Sequence, residues 1–438
     1  MTLKTRQRRL ALVALASTSS LLLAGCLSGG DSGGSGGNAK DSTVEIMYGF
    51  ANEQSDAFKA SMKPFLDKEG ITVKFSSTPD FDKLVRSRVA GNNLPDIAIF
   101  PQPGITLDIA RTGKLADLTT LSGYNAATKD DVPGIIDAAS ADGKVYAAPM
   151  SISVKSLVWY PKKAFEAAGY KIPKTQDELL ALTDQIKADG KTPWCVGVES
   201  GPGTGWAATD WMEDYVLRIG GPETYDKWVK HEIPFNDPVV KQAADAIAKI
   251  WFTDGNVLGG RKAIASTAVL TAGNPMFDTP PKCFLHRQAS FLAQPGSFPE
   301  DVVKNLDERA GVFQLPPMKA GDPTSIMGGG DLAGLFNQKD KNAQKVLEYL
   351  IGPDFKGSPE AGGYISPHTT YDLSLQPNQT MRDISKIAYS ADNFRFDGSD
   401  SMPGEVGAGS FWREMVAWSG GKSTDEMLDA IEASWPKS

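Results

Sequence analysis

Apolar positions along the chain follow two periods that take turns. Residues 44–48, VEIMY, form a short β-branched and aromatic run and predict a strand. Residues 55–66 carry helical spacing and predict a helix, followed by a second strand over 71–75. Residues 81–90 predict another helix, closed by Gly91, and 95–100, PDIAIF, a buried strand that runs into a Pro/Gly turn. Repeated β-α-β units predict a parallel-rich sheet with helices on its faces. Thr175-Gln176-Asp177-Glu178 and Ser423-Thr424-Asp425-Glu426 have the spacing of capping boxes and open two further helices. Ala343, Val346, Leu347 and Leu350 make one apolar helical stripe, and Leu332-Ala333-Gly334-Leu335-Phe336 a strand-like run.

The N-terminus breaks this pattern. Lys4, Arg6, Arg8 and Arg9 precede an apolar stretch, 10–23, interrupted by Ser17-Thr18-Ser19-Ser20. That stretch is too short for a transmembrane helix and reads as a signal peptide over residues 1–25. It ends in Leu23-Ala24-Gly25-Cys26, which resembles the lipobox of bacterial lipoproteins. The resemblance implies a lipid on Cys26 and a location on the extracytoplasmic face of the cell membrane. Residues 28–37, SGGDSGGSGG, predict a flexible tether, so 26–40 is expected to join anchor to folded chain. The G-x-S-x-G match inside it has no strand–turn–helix context and is set aside.

The 438 residues include 45 Lys/Arg, 53 Asp/Glu and three cysteines. Four Lys/Arg fall before Cys26, so 45 less 4 leaves 41 against 53, a net charge of −12 after cleavage. That acidity argues against nucleic acid as a partner. With Cys26 lipidated, Cys195 and Cys283 remain as an even pair in an oxidising compartment. A disulfide between them is expected over two separate buried thiols, closing a loop of about 88 residues. His231, His286 and His368 are widely spaced, and no metal site or cofactor is expected. Gly201–Trp206 fails the dinucleotide fingerprint because Trp206 stands at the third glycine position.

Several segments resemble the sugar-binding proteins of ABC importers, of the maltose-binding type. They are the strand–helix–strand block 73–100 with its Pro95-Asp96, the run from Tyr146-Ala147-Ala148-Pro149 to Trp159-Tyr160, and the stretch from Met402-Pro403 through Phe411-Trp412 to Glu426. Trp159-Tyr160-Pro161 departs from the usual end of the second of these. Pro193–Ser200, Gly205-Trp206, Thr209-Asp210-Trp211, Pro281-Lys282-Cys283 and Phe396-Asp397-Gly398-Ser399-Asp400 resemble the α-glucoside-binding subgroup. The resemblance implies an α/β fold of two lobes around a central ligand cleft, crossed three times by the chain. The expected lobes are discontinuous: 41–156 with 330–378, and 157–329 with 379–438. It implies a monomer that binds an oligosaccharide, an α-glucoside such as trehalose, maltose or sucrose, and delivers it to the permease subunits without catalysis.

A sugar offers hydroxyls at its edge and C–H groups on its faces, so a site needs planar hydrogen-bonding groups and flat aromatic rings. Glu53 and Gln54 follow the first strand, Gln102 follows the 95–100 strand, and Lys155 lies in the first crossing, where a hinge ion pair is the competing role. Trp206 and Trp211 lie five residues apart; one is expected in the core and the other against the ligand. Phe291 and Trp412 are further candidate platforms, and Met402 a family-matched contact. Gly330 would allow close approach of the ligand, and Asp331 would accept hydroxyl hydrogen bonds or cap a hinge turn. Arg395, Asp397 and Asp400 are expected to cluster in one loop, as sugar contacts or as an ion pair. Two other readings stand beside this one: a secreted glycoside hydrolase using carboxylates such as Glu199 and Asp331, and a sugar-recognition protein with no transport role.

Overall fold

A computed structural model describes residues 43–50, 52–294, 296–359 and 363–436. Cys26 and the rest of the leader and tether lie outside the described residues. Strands β1 (Val44–Tyr48), β2 (Val73–Ser77) and β3 (Ile97–Phe100) alternate with helices α1 (Asn52–Glu69), α2 (Phe81–Ala90) and α3 (Pro103–Arg111). β1 pairs in parallel with both β2 and β3. β4 (Ala148–Val154) then leads through Lys155-Ser156 into β5 (Leu157–Pro161) of a separate antiparallel sheet. There β5 lies between β6 (His286–Arg287) and β7 (Ala310–Gln314). The chain returns to the first sheet as β8 (Ser325–Leu335), which pairs antiparallel with β3 and β4 and parallel with β9 (Asn393–Phe396). After Phe396 it passes back to the side of the second sheet. The first sheet is therefore mixed: the β-α-β block is parallel, and β8 runs against it because it enters from the other sheet.

Among the described residues the chain passes between the sheets three times, next to Lys155, before Ser325 and after Phe396. The expected boundary at 329/330 falls inside continuous β8, and β9 belongs to the first sheet although 379–438 was assigned to the second lobe. The run Gly328-Gly329-Gly330 reads in sequence as room for close approach, with a hinge turn as the alternative. Here it is mid-strand, and the absent side chains let neighbouring backbone approach.

Each sheet side has its own core. Ile46, Tyr48, Phe58, Met62, Ile99, Val346 and Leu347 pack on one face of the first sheet. Trp194, Trp211, Trp228, Trp251, Phe411 and Trp418 pack the second region. Helix ends follow local chemistry. Ser423 and Glu426 make both bonds of a capping box, whereas Glu178 accepts from the Lys174 amide rather than from that of the N-cap Thr175. Helix α4 (Trp206–Val229) starts after Gly205, whose φ of 116° suits glycine, and is re-aimed at Gly221, φ 75°. Further on, α5 (Lys341–Leu350) buries the stripe Ala343, Val346, Leu347 and Leu350, and α6 (Trp412–Gly420) precedes α7 (Thr424–Glu432).

Cys195 and Cys283, 88 positions apart in sequence, form a disulfide with Cα atoms 5.6 Å apart. It ties two loop segments that otherwise meet through single hydrogen bonds such as Cys195 N to Leu285 O. A Cys195→Ala/Cys283→Ala variant should lose about 3–5 kcal/mol in urea unfolding. Peptide mapping without reductant should recover the two cysteine peptides joined, and free thiols there would contradict the bond.

Candidate functional site

β3 and β9 end at the same edge of β8. Phe100 pairs with Leu332, and Phe396 pairs with Gly328, while β4 occupies the other edge. Gly329, Gly330 and Asp331 thus face a gap between two strand ends, and the loops leaving Phe100 and Phe396 must meet there. They do: Gln102 Nε2 donates to Asp400 Oδ1 at 2.7 Å, and the Gly104 amide donates to the Asp400 carbonyl at 3.2 Å. A Cβ on Gly330 would collide with the Ser151 carbonyl, and one on Gly329 would come 3.9 Å from Lys155 Cε. Glycine at 330 lets the β4 backbone lie close against β8.

Lys155 Nζ donates to Asp210 Oδ1 at 3.0 Å and to Asp397 Oδ2, and lies 5.4 Å above the Trp206 ring. Carboxylate oxygens of Asp210, Glu213 and Asp397 come within 4.8 Å of one another, and the cation Asp210 and Asp397 meet is this ammonium. Helix α4 supplies most of the acid. Asp214 accepts from Ser156 Oγ at 2.7 Å, from Arg287 Nη2 at 2.8 Å and from Arg218. Arg218 in turn donates to the Leu315 carbonyl at 2.8 Å and the Ser325 carbonyl at 3.2 Å. Glu213 accepts from the amides of Gly398 at 2.7 Å and Ser399 at 3.2 Å. One helix therefore grips all three passages between the sheets.

Burial sets the charge states. It raises Asp210 to about 6 against the pull of Lys155. Burial and the adjacent charge of Asp397 push Asp400 to about 8. Asp397 is also pushed up by burial, but the Lys155 ammonium and its hydrogen bonds outweigh that and hold it below the usual carboxylate range. Burial, then Asp397 and Asp210, drive Glu213 well above its ordinary value.

Beside this polar cluster lies a cavity of about 280 Å³, lined by Phe50, Gln54, Met150, Ser151, Asp331 and Phe355 among others. Asp331 accepts from Ser151 Oγ at 2.7 Å and is the one charged side chain among the described residues of its lining. Trp206 and Phe291 are both half-buried, their ring centroids 6.3 Å apart. Trp412, at the start of α6, is half-buried too, and its Nε1 has no hydrogen-bond partner among the described residues. Gln54 is exposed at the cavity mouth; the side chain of Glu53 lies outside the described residues.

Two candidates stand elsewhere, and a third is shared. Trp211 is buried, stacked 6.3 Å from Tyr215 and set edge-on to Trp194 and Trp251, so it is a core pillar. Met402 is buried in the same core and also lines the cavity that Gln102 and Asp400 share. Arg395 does not join Asp397 and Asp400. β9 ends at Phe396 and the chain turns onto Glu213, leaving Arg395 to pair twice with Asp226, at 2.7 and 3.0 Å. The sequence reading missed Glu213, Asp214, Arg218, Arg287, Ser151 and the cavity wall Phe50 and Phe355. An available signal was the column Asp210, Asp214, Arg218 at helical spacing, set among Trp211, Met212, Tyr215, Val216 and Leu217.

Asp331 makes a measurable prediction. Burial raises its carboxyl from 3.8 to about 6, partly offset by Ser151. With the folded value above the unfolded one, its contribution to stability is full below about 4 and is lost as the pH rises through 6. Asp331→Asn keeps the shape and removes the penalty. The ligand-free variant should be more stable than wild type at pH 7.5 by on the order of 1–3 kcal/mol, with no gain at pH 4. Calorimetric melting at both pH values checks this, and an equal shift at both would contradict it.

Residues 51–275 match the family model described as bacterial extracellular solute-binding protein. The chain is 38% identical over 405 residues to the osmoprotective compounds-binding protein GgtB of Synechocystis sp., covering 92% of this chain and 95% of that one. It is 38% identical over 418 residues to the alpha-glucosides-binding periplasmic protein AglE of Rhizobium meliloti, covering 91% and 88%. Among solved structures, the bacterial solute receptor AcbH superposes with a TM-score of 0.76 at 15% identity, covering 90% of this chain and 98% of that one. The cyclic alpha-maltosyl-1,6-maltose binding protein of Arthrobacter globiformis gives 0.68 at 21% identity, covering 90% and 97%. The last two likenesses establish the two-lobed binding-protein fold. This chain belongs to the bacterial extracellular solute-binding proteins, a family that binds its solutes and is not enzymatic.

Proposed function

We propose that the chain captures a small α-glucoside outside the cytoplasm and presents it to the permease of an ABC importer. The observation that carries this reading is the meeting of Gln102, Lys155, Asp397 and Asp400 at the glycine run of β8, with the Trp206 ring against the same lysine. Planar amide, ammonium and carboxylates match the hydroxyl edge of a sugar, and an aromatic ring matches its C–H face. The cavity with Asp331 and Ser151 adjoins them and extends the site in this reading. The two relatives at 38% identity support the ligand class, one being named for binding osmoprotective compounds and the other for alpha-glucosides.

In the same reading the two lobes close on the ligand about the three passages, and the Gln102–Asp400 contact belongs to the closed form. Cys26 carries the lipid that keeps the protein at the membrane, and the glycine-rich tether gives it reach to the permease.

Titration calorimetry against trehalose, maltose, sucrose, palatinose and longer α-glucans tests the assignment. At least one should bind in the micromolar range, about −8 kcal/mol. Binding of amino acids, peptides or metals alone would overturn it. Trp206→Ala and Trp412→Ala should each weaken the best ligand by about 10–100-fold, roughly 1–3 kcal/mol, with melting little changed. Wild-type affinity in either folded variant removes that ring from the site.

A further inference from the structure

Glu213 touches none of the ligand-facing residues' open sides, yet the polar cluster hangs on it. It is fully buried on α4. Its oxygens accept the amides of Gly398 and Ser399, the two residues between Asp397 and Asp400. Asp397 is the residue that Lys155 meets, and Asp400 the one that Gln102 meets. The turn has little freedom to be held otherwise. A Cβ on Gly398 would come 2.8 Å from Val229 Cγ2 and 2.9 Å from the Tyr225 hydroxyl, and that hydroxyl already donates to the Phe396 carbonyl at 2.8 Å.

The surrounding charges decide in which form Glu213 does this. Facing it are Asp210 and Tyr225 of its own helix, Lys155 from the first passage, Arg287 from β6, and Asp397 from the loop it holds. Lys155 is shared by Asp210 and Asp397, and Arg287 pairs with Asp214 and, at 3.4 Å, with Asp210. Every cation of the group is thus taken by another carboxylate, and Glu213 has no cationic partner among the described residues. An unpaired carboxylate in such a place costs more than keeping its proton. Glu213 accepts its two amides at 2.7 and 3.2 Å, and a carboxylate oxygen of Asp397 lies within 4.8 Å of one of its own.

Resting on the sugar-binding reading above, we propose that Glu213 is a positioning residue of the sugar site: a neutral carboxylic acid that fixes the Gly398–Ser399 turn and thereby sets Asp397 against Lys155 and Asp400 against Gln102. Glu213→Gln then keeps the shape, with an amide N–H in place of the acid O–H and a carbonyl still facing the Gly398 amide, and gives up only the longer bond from the Ser399 amide. Glu213→Ala frees the turn.

The test has two independent readouts. In the infrared difference between wild type and Glu213→Gln at pH 7.5, the carbonyl stretch of a protonated carboxylic acid should appear on the wild-type side. Its absence would overturn the proposal. Titration with the best α-glucoside should give Glu213→Gln an affinity within about threefold of wild type and Glu213→Ala one at least tenfold weaker. Wild-type affinity in Glu213→Ala, or a Glu213→Gln loss as large as the alanine loss, would also overturn it. Should Glu213→Ala fail to fold, the infrared band and the Glu213→Gln affinity decide. Should wild type bind none of the sugars, the ligand assignment fails. The infrared band, together with faster hydrogen exchange of the Gly398 and Ser399 amides in Glu213→Ala only, then decides the role of Glu213.

Discussion

The structure depends on burying charge along one helix. Between Trp206 and Gly221, α4 carries Asp210, Glu213 and Asp214 with almost no solvent contact, and Arg218 closes the column one turn on. Each acid desolvated in this way costs several kcal/mol unless it is paired or protonated, and well-packed apolar residues would serve stability equally well. What the charges add is direction. An apolar side chain packs against whatever lies near it, whereas Asp214 accepts from Ser156, Arg287 and Arg218 in fixed geometry. Removing one partner of such a group costs about 3–5 kcal/mol, so the three passages between the sheets have one low-energy arrangement.

That arrangement also places the polar groups at the end of the sheet. Two strands, β3 and β9, stop at the same stretch of β8, and their loops converge over three consecutive glycines. Lys155 is held there from both sides, by Asp210 of the helix and Asp397 of the third passage. The same ammonium is therefore a hinge group and a neighbour of Trp206. The hinge ion pair weighed for Lys155 in the sequence is present, with an aromatic ring beside it.

Local pattern was readable where local forces decide. The strand at 44–48 and the helix at 81–90 fall on their observed bounds, and Ser423 caps its helix as its spacing predicts. At Gly330 the sequence offered a close approach, and the structure supplies one from the Ser151 backbone. The hinge turn weighed beside it does not form there, because the run lies inside β8. Arg395 was grouped with Asp397 and Asp400 by proximity along the chain, which cannot tell where β9 stops. Trp206 and Trp211 lie five residues apart on one helix and so on different faces, and a helical assignment for that stretch would have separated the ring beside Lys155 from the core pillar. The spacing of the acid column of α4 was visible in the sequence, but what it holds was not. Its partners, Lys155, Arg287 and Asp397, come from segments up to 187 residues away from Asp210, and nothing near the helix announces them.

The central claim is that one helix holds the three passages as a unit, and native-state hydrogen exchange of Asp214→Asn tests it most directly. The probes are the amides of Lys155, Met327 and Asp397. Each is bonded across a passage: to the Met327 carbonyl, the Ser156 hydroxyl and the Gly328 carbonyl. If α4 couples the passages, all three should lose protection together and by a similar factor. If only Met327, whose bond uses the Ser156 hydroxyl next to the mutated group, exchanges faster while Lys155 and Asp397 keep wild-type rates, the passages are held independently and the account is wrong.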